Sequence, residues 1–256
     1  MIIKGMFPFL KEKNHVISIV GAGGKTTLMY ALAEYFSENG ARTIVTTTTH
    51  IYQPEGKLWA HSPEEVRVLW REGTYAVVGR LEEAKRPEGS RKPEGFGEQK
   101  KLTALPEEEL VMYVRMADIV LIEADGAKRK PCKVPAGHEP VIPKACDIVI
   151  GVMGMKALGK TLSESCFRQE KAVRLFGAAP EGIITADMMA AILASEEGTR
   201  KNVGKRDYYV VLNQCDSEAD IRAGEKITGL LEAEGIGHCV MTSFEGEFDE
   251  RKDSIL

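Results

Sequence analysis

Apolar positions along the chain follow two alternating rhythms. His15–Val20 is a short β-branched run that stops at glycines, the pattern of a strand buried on both faces. From Lys25 to Glu38 the spacing is helical: Leu28, Leu32, Tyr35 and Phe36 share one face, and Gly40 stands just past the end, where a left-handed cap is wanted. Thr43–Thr47 predicts a second strand. Ser62, Pro63 and Glu65 read as a helix start, with a capping serine, a proline in the first turn and a capping-box glutamate. Tyr75–Val78 predicts a third strand. Further helices are expected over Pro106–Met116, Arg168–Phe176, Ala186–Ser195 and Glu218–Glu234, and further strands over Asp118–Glu123, Asp147–Val152, Asp207–Leu212 and Cys239–Thr242. Residues 81–104 break the rhythm. Pro87, Pro93 and Gly95 stand among mixed charges and few apolar anchors, which predicts a long mobile loop.

Strands alternating with helices imply an α/β fold with a mostly parallel central sheet of about seven strands flanked by helices. A chain of 256 residues with 43% apolar residues is read as one such domain over 1–256, with no internal repeat. In open parallel sheets, ligands bind beyond the carboxyl ends of the strands, so the residues after each strand carry the chemistry. Charge narrows the function classes. With 34 basic and 38 acidic residues the net charge is −4, which excludes a strongly basic nucleic-acid binder. No apolar run is long enough for a bilayer span, and Met1–Leu10 lacks the features of a signal peptide, so a cytoplasmic protein is expected. Five widely spaced cysteines with no CxxC pair argue against a disulfide framework or zinc knuckle.

The first strand is followed by Gly21-Ala22-Gly23-Gly24-Lys25-Thr26-Thr27. The glycines let backbone N–H groups turn around an anion, and the following helix aims its positive end at the same point. Lys25 would reach the β- and γ-phosphates, and the Thr26 hydroxyl would ligate Mg²⁺. The loop is a short Gly-x-x-Gly-Lys-Thr form, similar to that of Mur ligases. The strand at 118–123 is followed by Ala124-Asp125-Gly126, so Asp125 or Glu123 is placed to hold Mg²⁺ or orient a water. Asn213-Gln214-Cys215-Asp216 resembles the Asn-Lys-x-Asp guanine motif of GTPases with glutamine in the lysine position. Asn213 and Asp216 are therefore expected at the base of ATP or GTP, with Asp216 or Ser217 as a helix cap the alternative. Thr48, Thr49 and His50 follow the second strand at the ligand end, where they would meet Mg²⁺ or a second substrate, with core packing and a satisfied histidine the alternative. Lys128 and Arg129, in a basic turn, and His138 and Glu139, further along the same loop, are candidates for a second anionic ligand or for acid–base work. Cys132 lies beside this turn, where cations would lower a thiol pKa, although an inert buried thiol is the ordinary reading.

Taken together, the stretches Val20–Thr27, Thr46–Ile51, Ile122–Ala127, His138–Pro143 and Gly159-Lys160 resemble the YqeC family of accessory proteins of selenium-dependent molybdenum hydroxylases. The resemblance implies a P-loop NTPase-like domain and a role in maturing a selenium-containing molybdenum cofactor, with a molybdenum hydroxylase or its cofactor as partner. Two further readings stay open beside a Mg²⁺-dependent NTPase: a nucleotide-dependent ligase or transferase acting on a selenium or molybdopterin substrate, and a nucleotide-switched cofactor chaperone.

Overall fold

The computed structural model describes residues 2–4, 7–54, 56, 58–82 and 100–244. Its centre is an eight-stranded sheet. The strands in chain order are β1 Ile2–Lys4, β2 His15–Gly21, β3 Thr43–Thr47, β4 Ala76–Val77, β5 Ile119–Glu123, β6 Ile148–Gly154, β7 Asp207–Asn213 and β8 Cys239–Thr242. Their order across the sheet is β1-β8-β7-β6-β2-β5-β3-β4. All neighbours are parallel except β1, which adds an antiparallel edge to β8. The seven parallel strands are those expected from the sequence; three residues are too few for β1 to show a pattern.

The inner strands are apolar on both faces, and alternate residues enter different cores. Ile17, Ile19, Ile119, Leu121, Ile150 and Val152 pack with Leu28, Met29, Leu32 and Phe36 of helix α1 (Lys25–Glu38) and with Phe7 and Phe9. On the other face, Val16, Val20, Val120 and Ile122 pack under helices α2 (Pro63–Arg71) and α3 (Glu107–Met116). Leu212 and Val210 pack under α6 (Ala186–Ala194) and α7 (Glu218–Ala233). Two shorter helices, α4 (Leu162–Ser165) and α5 (Gln169–Phe176), precede these. Local signals act as expected: Ser62 Oγ accepts from Glu65 N, Gly40 has φ +75°, and Ser217 forms a capping box with Asp220.

The expected 81–104 loop is narrower than its sequence suggests. Arg80–Leu81 and Lys101–Thr103 pair antiparallel, and His50–Tyr52 pairs on the other side of Lys101–Thr103. Residues 83–99, the rest of that loop, lie outside the described residues.

One connection positions the site. β5 and β6 flank β2, so residues 124–147 must cross β2 to reach β6, and the first part of this segment lies over the carboxyl end of β2. The crossing segment is tied down by backbone bonds: Gly23 N to Lys130 O at 3.2 Å, Gly154 N to Pro131 O at 2.9 Å and Val141 N to Ala124 O at 3.0 Å. The basic turn is thereby laid directly over the glycine loop.

Candidate functional site

The glycine loop is built by left-handed backbone. Gly21, Gly23 and Gly24 have φ of +96°, +85° and +105°, and a Cβ at each would lie 2.2 Å from Val152 O, Gly154 N and Asn213 Nδ2 respectively. Only glycine fits at these three positions. The amides divide into two sets. Gly21 N donates to Asp125 Oδ2 at 3.1 Å, Ala22 N to Val152 O at 2.8 Å and Gly23 N to Lys130 O at 3.2 Å. By contrast, the first-turn amides of Lys25, Thr26 and Thr27 have no partner within α1, and no side chain caps them. The amides left without a helix partner or a side-chain cap are therefore those at the start of α1.

Behind the loop runs a chain of buried charge. Lys25 Nζ donates to Gly21 O at 2.9 Å and lies 3.1 Å from Asp125 Oδ1 and 3.8 Å from Glu123 Oε1. Asp125 Oδ2 is 2.8 Å from Lys133 Nζ, which also contacts Glu139 Oε2 at 2.7 Å and donates to Gly126 O at 2.6 Å. Arg168 closes the chain with bonds of 2.6 and 3.2 Å to Glu139. Three carboxylates face three cations, which is how a group of buried charges avoids an uncompensated desolvation cost. Burial pushes the Glu123 carboxyl up, while Lys25 and a hydrogen bond from Thr26 oppose the rise. Burial also raises Glu139, but the bonds from Lys133 and Arg168 outweigh it and hold that carboxyl at about 2. Lys133 and Arg168 were not singled out by the sequence reading; a lysine in a Pro-rich segment and an arginine at a helix start carry no pattern that marks them as buried.

Thr26 Oγ1 donates to Glu123 Oε2 at 2.6 Å. Two oxygens bound side by side on an octahedral Mg²⁺ lie about 3.0 Å apart, given Mg–O bonds of about 2.1 Å. Thr26 and Glu123 present two hard oxygens at nearly that spacing, the donor chemistry Mg²⁺ takes. Of the two carboxylates considered from sequence, Asp125 is the one already engaged by two lysines and an amide.

In front of the loop is a cleft of about 860 Å³. Its walls include Gly23–Thr27, Glu123, the 126–131 turn, His50–Tyr52, Lys101, Lys156 and Gln214. Six lysines or arginines line it against two carboxylates, Glu82 and Glu123. Such a cleft concentrates anions.

The other sequence candidates divide between cleft and framework. His50, Lys128 and Arg129 line the cleft. Thr48 and Thr49 instead hold the backbone after β3: Thr48 Oγ1 donates to Val141 O of the crossing segment at 2.8 Å, and Thr49 N to Thr47 Oγ1 at 2.9 Å. His138 is exposed and outside the cleft lining, whereas its neighbour Glu139 is in the buried chain. The side chain of Asn213 braces the glycine loop: Nδ2 donates to Gly23 O at 2.8 Å, and Oδ1 accepts from Thr242 at 2.9 Å. Asp216 pairs with Lys156 at 3.1 Å and accepts from Ser243 at 2.7 Å. The Cys132 thiol is not lowered. A hydrogen bond with Cys166 Sγ at 3.6 Å and burial push it up, so it is an ordinary buried thiol.

No helix among the described residues is long and apolar enough to cross a membrane. The model of the family described as YqeC protein matches residues 17–170, a stretch that contains the glycine loop and every member of the buried charge chain. The uncharacterized protein YqeC of Escherichia coli (strain K12) is 33% identical over 221 residues, covering 81% of this chain and 80% of that protein. The chain belongs to the YqeC family.

Proposed function

We propose that the protein is a P-loop NTPase-like protein that binds a Mg²⁺–nucleoside triphosphate, ATP or GTP, in this cleft. The observation that carries the reading is the convergence, at the carboxyl end of β2, of the uncapped first turn of α1 with Lys25 and the Thr26–Glu123 oxygen pair. The phosphates would lie against the amides of Lys25, Thr26 and Thr27. Lys25 would exchange Asp125 for phosphate oxygens, and Asp125 would keep its charge balance through Lys133. Mg²⁺, held by Thr26 and Glu123, would neutralise phosphate charge. Asn213 would act by holding Gly23 in place, and Asp216 would lie at the base end of the cleft, beyond Lys156.

Such a site works by positioning and electrostatics. The test is release of labelled phosphate from ATP and from GTP, with and without Mg²⁺. The expected result is Mg²⁺-dependent release that Glu123→Gln lowers by at least about tenfold, as loss of one transition-state contact does. Equal rates for wild type and Glu123→Gln would remove Glu123 from the site.

A second reading is a ligase or transferase, favoured by the extension of the cleft past the loop to Tyr52 and Lys101. Release that requires an added co-substrate would select it. The client proposed for an accessory role is a molybdenum hydroxylase or its selenium-containing cofactor, as the resemblance implies. Capture of such an enzyme that changes with bound nucleotide would support the accessory role, and capture that ignores nucleotide would argue against a switch.

A further inference from the structure

The strand order gives the cleft two ends. Lys156 and Gln214 enter it from the loops after β6 and β7, on one side of β2. Glu123, His50 and Tyr52 enter from the β5–β3 side, together with Lys101. Were Thr26 and Glu123 to hold the metal of the proposed triphosphate site, the tail of the triphosphate would lie toward β5. The space beyond it holds side chains that the triphosphate leaves unused. Tyr52 is the only phenylalanine, tyrosine or tryptophan lining the cleft among the described residues, and it is 42% exposed. Lys101 Nζ lies 5.7 Å and the Arg129 guanidinium 5.6 Å from its ring centre, and Arg129 Nη2 is 3.5 Å from its hydroxyl. Among the described residues no carboxylate is within ion-pair distance of Lys101, Lys128 or Arg129, whereas the nearby His50 faces Glu82 at 3.5 Å.

An exposed aromatic ring beside cations can serve as a stacking platform for a flat ligand. A flat ring takes the ring face in place of a cation, and the displaced cation then meets whatever negative group that ring carries. We propose that this end of the cleft binds a second ligand, a small planar heteroaromatic compound bearing a phosphate. Its ring stacks on Tyr52 and its phosphate is held by Lys101 and Arg129. Bound there, the ligand faces the terminal phosphate, which is the arrangement a transferase needs. The position opposite a terminal phosphate rests on the triphosphate reading; the platform itself does not.

The probe is riboflavin 5′-phosphate, whose fluorescence is quenched by stacking on tyrosine, with riboflavin and ribose 5-phosphate as the ring-only and phosphate-only controls. The full chain is titrated with each flavin, with ribose 5-phosphate added as a competitor, alone and in saturating Mg²⁺ with a non-hydrolysable triphosphate analogue. The expected result is saturable quenching by riboflavin 5′-phosphate in both conditions. Tyr52→Leu weakens it about tenfold, the worth of one aromatic stack, and Lys101→Ala weakens it for the phosphate-bearing flavin while leaving riboflavin unchanged. Absence of quenching, or equal affinity in Tyr52→Leu, overturns the proposal. So does mutual displacement of flavin and analogue, because the platform would then serve the nucleotide's own base. Analogue binding without flavin is scored separately. Flavin binding with no analogue binding refutes the triphosphate site and keeps the platform, and the reverse refutes the platform alone.

Discussion

Two groups of cations meet at the carboxyl end of β2 and obey opposite rules. Lys133 and Arg168 are matched by Asp125 and Glu139 within hydrogen-bond distance, and Lys133 is only 1% exposed. Lys101, Lys128 and Arg129 stand on the cleft rim in water with no described carboxylate in reach. Burial decides the difference. A charge removed from water must carry its partner with it, whereas a solvated rim tolerates excess charge and uses it to attract a polyanion. Lys25 belongs to both groups, being buried against Asp125 at the inner end of the cleft. It is therefore the residue through which a ligand on the rim side can disturb the chain behind.

The comparison breaks most visibly at Lys133. Lys133→Met leaves Asp125 and Glu139 buried with fewer partners and should cost about 3–5 kcal/mol, read from the urea unfolding midpoint. A loss under about 1 kcal/mol, on the same scale as a surface change, would mean that water reaches the chain. Glu139 sharpens the point by pH. Its folded carboxyl is held at about 2, below the ordinary 4.5. The stability it contributes is therefore present above pH 4.5 and lost as pH falls toward 2. Glu139→Gln should remove about 3 kcal/mol at neutral pH and flatten the stability profile across that window. A profile that keeps its wild-type slope would show that another group titrates there. Asn213→Ala removes two buried hydrogen bonds, one of them to the glycine loop, and should cost about 1–3 kcal/mol in thermal or urea unfolding. Smallest in stability is the rim. The Lys128→Ala and Arg129→Ala pair should shift unfolding by less than about 0.5 kcal/mol. It should nevertheless weaken binding of a triphosphate analogue at low salt, with the difference shrinking at high salt. A rim variant that unfolds the protein would erase the distinction between the two groups.

The sheet was legible because its strands carry their own signal. Ile119–Glu123 and Asp207–Asn213 are apolar runs ending in polar residues, and α1 shows its buried face at helical spacing. The glycine loop was legible for the same reason, since seven consecutive residues contain its chemistry. What stayed hidden depends on distance along the chain. Arg168 and Glu139 meet across 29 residues, and Asn213 and Gly23 across 190. No local pattern could place Asn213 against a glycine carbonyl, so its expected position at a nucleotide base was drawn from the order of residues after a strand. The small antiparallel sheet was hidden too. Arg80–Leu81 and Lys101–Thr103 are two and three residues long, and each needs the other, or His50–Tyr52, to become a strand at all.

The most direct test of the account is calorimetric titration of the full chain and of Lys25→Ala with Mg²⁺ and non-hydrolysable ATP and GTP analogues. In the variant, Asp125 still pairs with Lys133, so the fold retains its charge partner. Saturable, Mg²⁺-dependent binding of at least one analogue is expected for the wild type, and its loss in Lys25→Ala. Binding of equal strength in the variant, or no binding of either analogue by the wild type, would contradict it.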